Sequence, residues 1–149
     1  MTLKAGDKAP EFEGKDQNGN LVKSTDLRGK KIVLYFYPKD NTPGCTAQSC
    51  NLRDNYEELQ KQGYEVLGVS QDGEASHQKF IAKHELPFTL LVDTDHTIHN
   101  LFGTWGEKKM YGKTYMGTLR TTFVIDEEGT LTEVIEKVKT KDHTAQILG

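Results

Sequence analysis

No stretch of this chain stays apolar for long. The longest clean run, Ile32 to Tyr37, falls far short of the ~20 residues a membrane-crossing helix needs. The first residues, Met1-Thr2-Leu3-Lys4-Ala5-Gly6-Asp7, lack the apolar core of a secretory signal. No membrane association is therefore expected, and the expected setting is cytoplasmic. An excess of one charge is lacking too: 19 Lys and Arg are mixed with 22 Asp and Glu, for a net charge of −3. That leaves no basic surface for phosphate, so nucleic acid is not an expected partner. There is no internal repeat, low-complexity stretch or linker. With 149 residues, one domain spanning 1–149 with a core of its own is expected.

Cysteine is scarce. The two in the chain, Cys45 and Cys50, stand close together. Structural disulfides are rare in the cytoplasm, where a close pair is more often catalytic, redox-active or metal-binding. Metal ligands are thin on the ground. The histidines (His77, His84, His96, His99, His143) are scattered, and His96 and His99 share a possible helix without a nearby third ligand. All five are read as surface residues. Trp105, Tyr111 and Tyr115 are read as packing or a loop anchor, and Lys108-Lys109 as solvated.

What is present is an alternation of strand and helix signals. Asn18-Gly19 marks a hairpin turn within residues 9–22, and Ser24 to Gly29 reads as a capped turn or short helix. Lys31 to Tyr37 is a β-prone apolar run, as expected of a central strand buried on both faces. Further strands are expected at Tyr64–Ser70, Phe88–Val92, Thr121–Ile125 and Thr130–Val138, the last two joined by a tight turn and hence antiparallel. Helices are expected from Pro43 to about Lys61, from Glu74 to Glu85 and from Thr94 to Phe102. Residues 103–117 show no clear period and read as a loop or a poorly regular hairpin. From Thr140 a last helix begins, cut short and frayed at Gly149. This order predicts an α/β fold with a central mixed β-sheet flanked by helices.

The strand ending at Tyr37 runs into Pro38-Lys39-Asp40-Asn41-Thr42-Pro43-Gly44-Cys45. Thr42 suits an N-cap and Pro43 the first helical position, where its missing N–H costs nothing. Cys45 is then the third helical residue, beside unpaired N–H groups and the positive end of the helix dipole. A thiol attacks as its thiolate, and a free cysteine titrates near ~8.5. Bringing such a group to about 6 takes ~3.4 kcal/mol, at ~1.36 kcal/mol per unit. A helix end supplies roughly 0.3–1 kcal/mol, or ~2 if partly buried. A cation is therefore wanted, and Lys39, Arg53 and Arg120 are candidates. Arg53 is about 12 Å along the same helix; spacing does not choose between Lys39 and Arg120.

Cys50 lies a rise of ~7.5 Å and a turn of ~140° beyond Cys45 on such a helix, which puts the Cα atoms roughly 8–9 Å apart. A disulfide wants less than ~7 Å. The two can bond only if the first turns unwind, which Gly44 makes easier by about 1 kcal/mol relative to alanine.

Pro38-x-x-x-Thr42-x-x-Cys45 resembles the active-site motif of the peroxiredoxins, and the wider string from Tyr35 to Cys50 is similar to their peroxiredoxin Q (bacterioferritin comigratory protein) subfamily. The likeness extends through Leu52-Arg53-Asp54, Val66 to Ser70, Phe88 to Leu91, Trp105 to Lys108, Gly112 to Tyr115 and Arg120 to Asp126. It implies a thioredoxin-like fold with an N-terminal hairpin extension, and a thiol peroxidase active on hydrogen peroxide and organic hydroperoxides in antioxidant defence. It implies that Cys45 attacks the peroxide and becomes a sulfenic acid, and that Cys50 condenses with it to an intramolecular disulfide. Thioredoxin or a similar dithiol protein would reduce that bond. By the same resemblance Thr42 orients the peroxide, Pro38 shields the site and Arg120 stabilises the thiolate. No cofactor or metal is implied, and the subfamily suggests a monomer. Many peroxiredoxins carry glutamate where this chain has Gln48, which removes a charge near the site. Two competing readings of the thiols remain. One is a thioredoxin-type oxidoreductase, which usually uses the Cys-x-x-Cys that is absent here. The other is a non-enzymatic redox sensor.

Overall fold

The computed structural model describes residues 3–149; Met1 and Thr2, the start of the segment read above for a signal, lie outside the described residues. In chain order, β1 (Glu13–Lys15) and β2 (Leu21–Lys23) form an antiparallel hairpin across Asn18-Gly19. A 3-10 turn at Ser24–Leu27 leads to β3 (Lys31–Phe36). Then come α1 (Pro43–Asp54), α2 (Tyr56–Lys61), β4 (Tyr64–Ser70), α3 (Glu74–His84), β5 (Thr89–Val92) and α4 (Thr97–Phe102). The chain continues through β6 (Trp105–Met110), β7 (Lys113–Thr118), β8 (Thr121–Ile125), β9 (Leu131–Ile135) and α5 (His143–Leu148).

Seven strands share one mixed sheet in the order β2-β1-β5-β4-β3-β8-β9, with β3 parallel to β4 and antiparallel to β8. The position of β3 explains its composition. Ile32, Leu34 and Phe36 enter one core, with Ile98 and Phe102 of α4. Val33 and Tyr35, with Tyr37 just beyond the strand, enter the other, with Leu52, Leu59, Phe80 and Ile147 of the remaining helices. A strand covered on both faces must be apolar at every position rather than at every second one. It also delivers its C-terminal end, and the loop that follows, to one edge of the packed layers.

Four expectations are corrected. The single helix predicted to reach Lys61 breaks at Asn55, whose side-chain Nδ2 donates to the Asn51 carbonyl at 2.8 Å and so competes with the helical ladder. Residues 103–117 are not irregular: β6 and β7 pair in register from Trp105↔Thr118 to Met110↔Lys113. Tyr111 (φ 53°) and Gly112 (φ 77°) form the tight turn whose twist suits a two-residue hairpin. The pair stands apart from the main sheet and most of its residues are exposed or half-buried, so no alternating apolar pattern marks it. Finally, His77, His99 and His143 are fully buried, not at the surface, because each imidazole has polar partners inside. The chain end is also tied down. Thr144 N donates to Asn51 Oδ1 at 2.8 Å, and Ile147 is 4% exposed.

Candidate active site

The chain enters α1 as the local sequence requires. Thr42 has extended backbone (φ −87°, ψ 154°), Pro43 opens the helix, and the first main-chain helical bond runs from Thr46 N to Thr42 O at 2.8 Å. The N–H groups of Gly44 and Cys45 therefore have no helical acceptor, and they lie at the positive end of the helix dipole. The Thr42 hydroxyl does not cap the helix. It donates to the Lys39 carbonyl at 2.8 Å, which fixes the turn of the loop.

Cys45 is fully buried, and its sulfur accepts a hydrogen bond from Arg120 Nη2 at 3.3 Å. The other arm of the guanidinium, Nη1, donates to Gln48 Oε1 at 2.6 Å. Arg120 precedes β8, the neighbour of β3, so sheet pairing brings the cation to the start of α1. Of the three candidate cations only this one reaches the sulfur. Arg53 is turned away onto Asp54 Oδ1 (2.9 Å) and the His84 carbonyl (2.8 Å), and Lys39 is exposed. A Cβ on Gly44 would lie 3.3 Å from Arg120 Nη2. The glycine thus makes room for the guanidinium as well as weakening the helix.

Cys50 lies on the same unbroken helix, half-buried, and both thiols are free. Pro38 is half-buried at the mouth of the loop. Among the described residues, no three His, Cys, Asp or Glu side chains are grouped to hold a metal, and no helix is long and apolar enough to cross a membrane.

The AhpC/TSA family profile matches residues 5–134. The peroxiredoxin Bcp of Bacillus subtilis (strain 168) is 50% identical over 148 residues, covering 99% of this chain and 94% of that one. The peroxiredoxin Bcp of Escherichia coli (strain K12) is 49% identical over 146 residues, with 98% and 94% covered. The chain is a peroxiredoxin. As such it is a thiol-dependent peroxidase with the thioredoxin-like α/β fold. Two solved Xanthomonas campestris structures resemble this peroxiredoxin closely. Peroxiredoxin Q superimposes with a TM-score of 0.86 at 36% identity, over 92% of this chain and 87% of its own. A bacterioferritin comigratory protein, studied for alkyl peroxide reduction, gives 0.86 at 35% identity over the same shares.

Three residues near the site escaped the sequence reading. Lys108, read as solvated, is half-buried on β6. Burial, and then the charge of Arg120, push its ammonium below the usual lysine range. Together with Arg120 it lines a cavity of about 530 Å³ beside the site, whose apolar wall includes Phe102, Leu119 and Phe123. Asp40, in the loop itself, is 5% exposed, and its carboxylate meets the buried imidazole of His77 at 2.7 Å. Nothing in the local sequence around Lys108, Asp40 or His77 marks them, because their partners lie far along the chain.

Proposed function

We propose that Cys45 is the nucleophile of this peroxidase and that Cys50 resolves its oxidised form. The observation that carries the assignment is the bond from Arg120 Nη2 to a fully buried Cys45 sulfur at the start of α1. A fixed guanidinium and the N–H groups of the first helical turn favour the anion, and they need no reorganisation as charge moves onto the peroxide.

The Cys45 thiolate attacks the distal oxygen of ROOH. The O–O bond breaks, Cys45 becomes a sulfenic acid, and RO⁻ leaves and takes up the proton that the thiol had lost. Arg120 stabilises the thiolate and the charge developing on the oxygens. The Thr42 hydroxyl spends its proton on Lys39 O, so its lone pairs are presented to the peroxide hydrogen. Pro38 screens the site from water. Cys50 then attacks the sulfenic sulfur and releases water, which leaves a Cys45–Cys50 disulfide. On an intact α1 the Cα atoms would be roughly 8–9 Å apart, beyond disulfide reach, so this step follows unwinding of the first turns. A dithiol protein of thioredoxin type regenerates both thiols by exchange. Hydrogen peroxide and organic hydroperoxides are the substrates, in keeping with the alkyl peroxide reduction studied in the Xanthomonas campestris protein. The working form is a cytoplasmic monomer; this and the thioredoxin-type reductant rest on resemblance to the subfamily.

Peroxide consumption coupled to thioredoxin, thioredoxin reductase and NADPH tests the scheme. Steady turnover is expected for the wild type and none for Cys45→Ser. Undiminished activity in Cys45→Ser would overturn the assignment.

A further inference from the structure

The loop that carries Pro38 and Thr42 is held at one point by an ion pair sealed inside the protein. Asp40 Oδ1 accepts from Tyr37 Oη at 2.6 Å, and Oδ2 accepts from Ser76 Oγ at 2.8 Å and meets His77 Nδ1 at 2.7 Å. The main-chain N–H of Asp40 donates to Asp72 Oδ2 at 2.8 Å, and that oxygen also accepts from Ser70 Oγ at 2.7 Å. The second ring nitrogen of His77, Nε2, faces the Leu91 carbonyl at 2.8 Å. A carbonyl only accepts, so Nε2 carries a proton. Nδ1, when protonated, donates to an Asp40 side chain that already accepts from Tyr37 and Ser76, and His77 and Asp40 then form an ion pair, the two side chains being 0% and 3% exposed.

Taking two charges out of water is expensive, and an apolar pair of similar volume often holds a fold equally well. What this pair adds is a directional tie between the active-site loop and α3. Beyond it, Asn41 is left-handed (φ 65°), a conformation uncommon outside glycine, its Oδ1 lies 3.3 Å from His84 Nε2 of α3, and Gly44 weakens the first turn. The far end of α1 is fixed again, by Asn51 to α5 and by Arg53 to the His84 carbonyl.

We propose that Asp40 and His77 are positioning residues of the peroxidase reaction, which clamp the active-site loop to α3 and confine the unwinding that joins Cys45 to Cys50 to the segment between Asn41 and Cys50. Neither residue is hydrogen-bonded to the reacting sulfur, and the proposal rests on the roles given above to Cys45 and Cys50. The clamp holds the site in the shape that attacks peroxide and gives the later opening a fixed hinge.

The test compares wild type, His77→Leu, His77→Asn and Asp40→Asn by single-turnover kinetics and amide hydrogen exchange of the reduced protein. Asparagine at 77 keeps an N–H near the Nδ1 position. In His77→Leu and Asp40→Asn, oxidation of Cys45 by hydrogen peroxide is expected to slow about tenfold or more, as loss of a charged buried hydrogen bond implies. Exchange of the amides between Asn41 and Cys50 should rise by a similar factor while β3 and β4 stay protected, and the disulfide step should not slow. His77→Asn should recover most of both losses. If His77→Leu fails to fold, Asp40→Asn carries the same readings. Variants that melt earlier but keep the wild-type oxidation rate and exchange pattern would show a merely structural pair and overturn the proposal. If wild-type Cys45 does not react with peroxide, the preceding assignment falls, while the exchange pattern still decides whether the pair holds the loop.

Discussion

The guanidinium of Arg120 bridges two atoms of α1, donating to the Cys45 sulfur at 3.3 Å and to Gln48 Oε1 at 2.6 Å. Gln48 thus fixes which arm of the fork points at the sulfur. Because the glutamine is neutral, it orients the cation without drawing its charge away from the thiol.

Arg120→Lys should therefore behave as a severe change. A single ammonium cannot hold Gln48 and the sulfur at once in this geometry. A loss of ~100-fold in kcat/KM for hydrogen peroxide is expected, in line with removal of one well-placed donor to a reacting anion. Gln48→Glu should act in the same direction but more weakly, by pairing with Arg120 and drawing its charge away from the Cys45 sulfur. Steady-state kinetics read the first effect, and the alkylation rate of Cys45 at neutral pH reads the second.

Gly44→Ala separates stability from activity. Alanine raises helix propensity by about 1 kcal/mol, so the melting temperature should hold or rise. Its Cβ would sit 3.3 Å from Arg120 Nη2, however, and push on the guanidinium. Peroxide reduction should fall, and Cys45–Cys50 disulfide formation should slow because the first turn opens less readily. Thermal melts alongside quenched-flow thiol counting check both.

Stability should carry two histidine ionisations of opposite sign. At His77 burial lowers the pKa, but the hydrogen bond and charge of Asp40, with help from the Leu91 carbonyl and Asp72, outweigh it and the net shift is upward. The pair's contribution is then complete below about 6.5, the ordinary histidine value, and is lost as pH rises through the raised folded value. At His143 burial lowers the pKa. The Gln146 bond opposes this, the Arg120 charge adds to it, and the net shift is downward. Its contribution is present above about 6.5 and is lost as pH falls through the lowered folded value. The melting difference between wild type and His77→Asn should be larger at about pH 5.5 than at about pH 8, and that between wild type and His143→Asn should run the other way.

Much of the fold could be read along the chain because its central elements state their environment locally. β4 and β8 fall where the apolar β-prone runs predict them, and β3 stops one residue short, since burial on both faces leaves little else at those positions. Thr42 and Pro43 likewise mark the start of α1. The break at Asn55 was missed because one side-chain bond decides it. The β6–β7 pair was left open between a loop and a poorly regular hairpin because it stands apart from the main sheet and no clear period marks it. At the site, Cys45, Cys50, Thr42 and Pro38 stand in one contiguous stretch that resembles a known motif, whereas Arg120 was one of three candidate cations and was chosen only by resemblance. Asp40 and His77 were not found, since a buried ion pair between residues 37 apart leaves no periodic trace.

The most direct measurement of the central claim is a single turnover of Cys50→Ser with an equimolar amount of hydrogen peroxide, followed by a sulfenic-acid-specific label and peptide mass spectrometry. The expected result is one equivalent of peroxide consumed and the label on Cys45 alone. Peroxide left unconsumed, or label absent from Cys45, would contradict the assignment of Cys45 as the nucleophile.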